Sequence, residues 1–278
     1  MNNPEGSLTS AGAASLRAAH QLLDGDPKLL ADPVILQLLD PGHLDQIRNN
    51  PLYFQEPRVL GLRSHIVLRS RYAEDRLAKA YVRGIRQYLL LGAGLDTFAW
   101  RRPTGMNDLS IFEADHPATQ AQKRQRLLHA GIVLPANYEM VPVDFEAGML
   151  EEALRKSAFD FTVPSFVSCL GVLIYLSEAA VDGIFRCIAG LPATTEFIFT
   201  FGQRRASPDR QQTAARVAEI GEPWRTFHQP DELDRKLRSM GYTSIHFLEP
   251  VEAVALYYAG RPHGLPAPSH CSIATTTV

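Results

Sequence analysis

Three short apolar runs in this chain each lead into residues that could grip a nucleoside-like ligand. The first, 88–91, runs into Gly92-Ala93-Gly94 and then Asp96; the second ends at Asp115 and the third at Asp144. Glycines at 92 and 94 let the backbone turn sharply and come close to a ligand, where a Cβ would obstruct. Asp115 lies 21 residues past Gly94, and an acid at about that spacing can accept both hydroxyls of a ribose. Asp144 could accept the exocyclic amino group of adenine, with the backbone or ring of Phe145 beside it. Taken singly, each acid is also the kind of residue that caps a helix or closes a turn. Three in register after three successive strand-like runs point to an adenosine-type ligand.

The same turn argues about which adenosine ligand. A dinucleotide fingerprint reads G-x-G-x-x-G, and Thr97 stands where the third glycine would let a helix close on a pyrophosphate. Asp96 would repel that pyrophosphate, whereas a cofactor with a cationic centre would tolerate or prefer it. A nicotinamide-dependent oxidoreductase (NAD) is therefore the weaker of two enzyme readings.

Strand-like and helix-like runs alternate from 86 to the end, which predicts an α/β fold: a doubly wound, mostly parallel, Rossmann-like sheet. Strands are expected at 88–91, 109–113, 139–143, 165–169 and 196–201, with two more at 244–248 and 271–276. Helices are expected at 118–130, with Lys123, Arg124 and Arg126 on its wet side, at 177–189 with Ser177 as cap, and at 230–240 ending at Gly241. Residues 1–85 read as a helical N-terminal cap or lid. Within it Ser10 could cap a first helix through Leu23, Asp32-Pro33 opens a second segment, and a long helix covers 60–84. The polar stretch 203–222 is expected to be helical, within a lid insertion at about 203–230.

The 278 residues carry a net charge of −2 and are 45% hydrophobic. That suffices for one large α/β domain with an accessory element and provides no general attraction to nucleic acid or anionic membrane. Cys169, Cys187 and Cys271 are scattered without Cys-x-x-Cys spacing, which suggests a reducing, cytoplasmic setting. Neither a signal peptide nor a membrane span is expected. The histidines lack metal-ligand spacing, so no metal is expected. The apolar run 254–259 suits either core or a homodimer interface.

The segments LLLGAGLDTFAWR, FEADHP with downstream Lys123, VPVDF and SCLGVLIYLS resemble the leucine carboxyl methyltransferase family. These are class I S-adenosylmethionine (SAM) dependent methyltransferases and include bacterial carboxyl- and hydroxyl-directed O-methyltransferases of small-molecule pathways. The resemblance covers about 69 to 176 well. It implies that Arg69 or Arg71 pairs with the methionine carboxylate, a bidentate task suited to a guanidinium. It implies further that Gly92, Ala93, Gly94 and Asp96 lie at the methionyl part, Asp115 at the ribose, and Asp144 and Phe145 at the adenine. The family often shows E-G-L-L-x-Y-L after its fourth strand; here Leu170 stands in place of that glutamate, removing one polar cofactor contact.

Methyl transfer from a sulfonium to a carboxylate needs no general base, whereas a phenol or alcohol would be helped by one. Spacing marks no histidine for that role. His65 and His228 are candidates only, and Tyr175 could orient a substrate that approaches after strand 4. Arg204 and Arg205 could bind an anion. The expected function is SAM-dependent O-methylation of a small molecule, more readily at a carboxylate. The competing reading within the same fold is a SAM-binding protein that does not methylate, kept open by Leu170.

Overall fold

The computed structural model describes residues 8–203, 218–219 and 221–278. The helical prediction for 203–222, and with it Arg204 and Arg205, falls largely or wholly outside them. The described strands form one seven-stranded sheet. They are β1 (Gln87–Leu91), β2 (Ser110–Asp115), β3 (Tyr138–Pro142), β4 (Phe166–Cys169), β5 (Glu196–Thr200), β6 (Ser244–Phe247) and β7 (Ile273–Thr277). The order is β3-β2-β1-β4-β5-β7-β6. The first five are parallel, and β7 runs antiparallel to both β5 and β6. Sheet order therefore reverses between β1 and β4, the place where open α/β sheets bind ligands at strand carboxyl ends.

Alternation along the strands sorts the core into two layers. Leu89 and Leu91 face one side with Val167, Phe197 and Phe199. That side is covered by α8 (Leu150–Arg155), α9 (Glu178–Ala189) and α10 (Pro230–Ser239). Tyr88 and Leu90 face the other side with Phe166 and Ile198, against α5 (Pro57–Val82). A third cluster joins α1 (Leu8–Leu23), α2 (Ile35–Leu38), α3 (Pro41–Asn49) and α4 (Pro51–Gln55) to Leu127 of α7 (Pro117–His129). Helix α5 spans about 39 Å and serves both groups: Val59 and Ile66 pack into the cap, Val67, Leu68 and Leu77 onto the sheet. Proline opens α3, α4, α5, α7 and α10, where its missing N–H costs no helical bond. Ser177 caps α9 through Ala180 N–H, and Gly241 adopts φ +101° just past α10. No described helix is long and apolar enough to cross a membrane.

Two local expectations are corrected. Ser10 does not cap the first helix: it lies within α1, Leu8–Leu23. Lys123 is not on the wet side of its helix. It is 1% exposed and its Nζ donates to Glu113 Oε2 at 2.5 Å. Thr119, Gln120, Lys123 and Leu127 form the buried stripe of α7, and that stripe faces a charged residue in the middle of β2. Tyr138 Oη also donates to Glu113 at 2.7 Å, and the Trp100 ring lies 5.2 Å from the ammonium. Burial holds the Glu113 carboxyl above its ordinary range, with Lys123 pulling the other way.

Breaking a buried pair from one side costs more than replacing both partners. Lys123→Met should lower stability by about 3–5 kcal/mol in urea denaturation. Adding Glu113→Gln should recover a large part of the loss; a double variant as unstable as the single would contradict the pairing.

Candidate functional site

The turn after β1 is held by acids from the neighbouring strand end and from the cap. Gly94 N–H donates to Asp115 Oδ2 and His116 N–H to Asp115 Oδ1, both at 2.6 Å. Each carboxylate oxygen keeps a second lone pair for a ligand hydroxyl. Burial raises the Asp115 pKa, and those two backbone bonds oppose the rise. Gly92 and Gly94 adopt φ +67° and +52°. The close approaches they allow here are to protein: a Cβ on Gly92 would stand 2.2 Å from Val172 Cγ2, and one on Gly94 2.3 Å from Ser10 Oγ. Asp96 Oδ1 accepts from Phe98 N–H at 2.8 Å, and its Oδ2 lies 3.9 Å from Arg17.

Thr97 is fully buried, which explains why no glycine is needed there. Its hydroxyl donates to Asp32 Oδ1 at 2.7 Å and accepts from Arg101 Nε at 2.9 Å. Asp32 also accepts from Ile35 N–H and lies 3.4 Å from Arg17 Nε. Arg17 Nη2 donates to Leu95 O at 2.5 Å, and Arg101, from α6 (Phe98–Arg101), grips Glu74 of α5 through both Nη atoms. Burial alone would lower the Arg101 pKa; the adjacent Glu74 carboxylate outweighs it and holds the guanidinium charged. Arg17, Asp32, Glu74 and Arg101 were missed as site residues. The available signal was Arg17, a lone arginine in the otherwise uncharged small-residue run of α1.

Arg69 and Arg71 sit about 200° apart around α5, so only one of them can face the strand ends. It is Arg69. Its guanidinium lies 2.6–2.9 Å from where a Cβ of Gly171 would stand, just past β4. Arg69 Nε is buried without a hydrogen-bond partner. Burial pushes Arg69 down to about 10, with Arg17 acting the same way and Tyr175 against it. Arg71 instead pairs with Asp75, one turn along, at 2.9 Å. His65, one turn before Arg69, is pushed down to about 3 by burial, then by Arg69 and His270. Tyr175 ends a 3-10 turn, Leu173–Tyr175, beside Arg69. His228 lies with a different group: its charged neighbours are Glu178, Lys236, Asp182 and Glu232, on α9 and α10.

On the adenine side, Asp144 is exposed and its Oδ1 caps the turn Phe145–Ala147 through Glu146 N–H at 3.0 Å. The Phe145 ring belongs to the core on the α9 side. Leu170 and Ala93 are half-buried against the core on the α5 side. A cavity of about 120 Å³ between α8 and α9, lined by Phe145, Glu151 and Cys187, does not border Arg69, Gly92 or Asp115.

These residues fit SAM. The unpartnered Arg69 Nε suits the methionine carboxylate, the free lone pairs of Asp115 suit the ribose, and exposed Asp144 suits the adenine amine. Arg69→Ala should weaken S-adenosylhomocysteine binding by about 1.5–3 kcal/mol in calorimetry, with Arg71→Ala near wild type. Equal losses in both variants would contradict the assignment of the carboxylate to Arg69.

Comparison with known proteins places this geometry. The model of the leucine carboxyl methyltransferase family matches residues 10–189. YktD of Bacillus subtilis, provisionally named a SAM-dependent methyltransferase, is 28% identical over 96% of each chain. A similarly named protein of Mycolicibacterium paratuberculosis is 32% identical over 78% of this chain and 69% of its own. A Thermobifida fusca structure, provisionally described as a methyltransferase, superposes with TM-score 0.59 at 18% identity, covering 99% of this chain and 96% of that one. A DUF574 family protein from Streptomyces avermitilis gives TM-score 0.57 at 15% identity, covering 95% of each. The last two show the fold. With its strand-end turn and acids lying inside the matched region, the chain belongs to the leucine carboxyl methyltransferase family and is a SAM-dependent methyltransferase.

Proposed function

We propose that the chain is an O-methyltransferase that forms the methyl ester of a small-molecule carboxylate. The observation that carries this reading is the electrostatic setting beyond β4. The charged and titratable neighbours of Arg69 are Tyr175 and Arg17, and those of His65 are Arg69 and His270. No carboxylate stands among these neighbours, so once Arg69 holds the methionine carboxylate an anionic acceptor meets no repulsion from them. A hydroxyl acceptor would need a base near the working pH. His65, pushed down to about 3, holds a proton too weakly to serve as one.

SAM supplies a methyl group on a sulfonium, delivered in line to an acceptor oxygen while the S–C electron pair returns to sulfur. The chain's own contribution is alignment and exclusion of water. Arg69 fixes the methionyl end of the cofactor, Asp115 its ribose and Asp144 its adenine. Tyr175 orients the acceptor, and α1 with residues 221–228 closes over the site.

A second reading is kept by Leu170, which stands where the family has a polar cofactor contact: the protein binds SAM without methylating. Both are tested with methyl-labelled SAM and a panel of carboxylic acids and phenols. The methyl ester formed should release labelled methanol when hydrolysed in mild base, and its rate of formation should be flat across neutral pH because the acceptor is already ionised. A base-stable product whose formation rises with pH would mean hydroxyl methylation. Cofactor binding with no labelled product would favour the second reading.

A further inference from the structure

The first amides of a helix have no partner within it. In α1 two of them end on one side chain from the far end of the chain. Leu8 N–H donates to Glu222 Oε1 at 3.0 Å and Thr9 N–H to Glu222 Oε2 at 3.1 Å. Glu222 is 5% exposed, and a carboxylate at this position also meets the positive end of the helix dipole.

The two sides of this contact are anchored to different halves of the site. Helix α1 lies on the cofactor half, with Ser10 over Gly94 and Arg17 donating to Leu95 O. Residues 221–228 are tied to the half beyond β4. Arg225 N–H donates to Ile174 O at 2.7 Å, His228 N–H to Gly202 O at 2.7 Å, and Thr226 Oγ1 to Leu176 O. Glu222 thus bridges the strand ends. The space beside it, bordered by Tyr175, Leu176, Pro223 and Arg225, holds about 30 Å³. With Ser10 of α1 over the Gly94 turn and residues 221–228 fastened beyond β4, the Glu222 contact closes the strand ends from one half to the other.

We propose that Glu222 is a positioning residue of the methyltransferase: it latches α1 across the strand ends, and release of S-adenosylhomocysteine proceeds by opening this latch. The proposal rests on SAM binding at the strand ends and is independent of the acceptor.

The test follows dissociation of S-adenosylhomocysteine by tryptophan fluorescence, together with amide exchange of the first turn of α1. Glu222→Gln keeps the shape and removes the charge. Leu8→Pro removes one donor from the other side, at a helix start that tolerates proline. Each variant should speed release by about tenfold, the order lost when a charge-assisted bond becomes a neutral one, and should speed exchange in the first turn. The double variant should be no faster than the faster single, because both break one contact. Additive effects, or release at the wild-type rate in both singles, would overturn the latch while leaving the cofactor site intact. A wild-type protein that does not bind S-adenosylhomocysteine would overturn both.

Discussion

The carboxylate of Asp32, wholly shielded from solvent, is the constraint on which the site depends. It receives the Thr97 hydroxyl and the Ile35 amide, and lies 3.4 and 3.5 Å from guanidinium nitrogens of Arg17 and Arg101. Those partners come from α1, from α2, from the turn after β1 and from α6. A buried charge stripped of its partners costs several kcal/mol, comparable to a large share of a domain's stability. Alternative placements of the turn would strand Asp32 or one of the arginines. The network therefore selects one position for Gly94, Leu95 and Asp96, and ties the cap to that position.

From this fixed turn the rest of the site follows by register. Parallel pairing of β1 with β2 sets Leu91 opposite Ala114, which brings Asp115 against the Gly94 amide. Pairing of β1 with β4 sets Leu91 opposite Cys169, which places Gly171 under Arg69 of α5. The strand ends then divide by charge. Carboxylates lie over β1, β2 and β3, where hydroxyl and amino groups of the cofactor are expected. Arg69, with His65 and Tyr175 beside it, lies toward β4. Family membership establishes the cofactor; His65, too weak a base at about 3 to activate a hydroxyl, supports the carboxylate acceptor.

Much of the frame was legible from local pattern. The apolar run at 88–91 sits within a residue of β1, because a strand buried on both faces leaves a continuous apolar signature; the expected strand at 139–143 lies within a residue of β3, an edge strand buried only at Met140 and Val141. Ser177 and Gly241 were readable because caps use few residue types. What escaped was contact between distant segments. Asp32 and Thr97 are 65 residues apart and Glu222 and Leu8 are 214 apart, and no periodicity reports such pairs. Lys123 was misplaced for the same reason: a lysine on a helix reads as solvated unless its partner, here Glu113, is known to face it. Choosing between Arg69 and Arg71 needed the helix phase relative to the sheet, which one sequence does not carry.

The most direct measurement is calorimetric titration of the wild-type protein with S-adenosylhomocysteine, with NAD as the comparison. Saturable one-to-one binding of the first and no heat from the second is the expected result, since the turn welded to Asp32 leaves no glycine cradle for a pyrophosphate. NAD binding, or silence from both ligands, would contradict the assignment of the strand-end site.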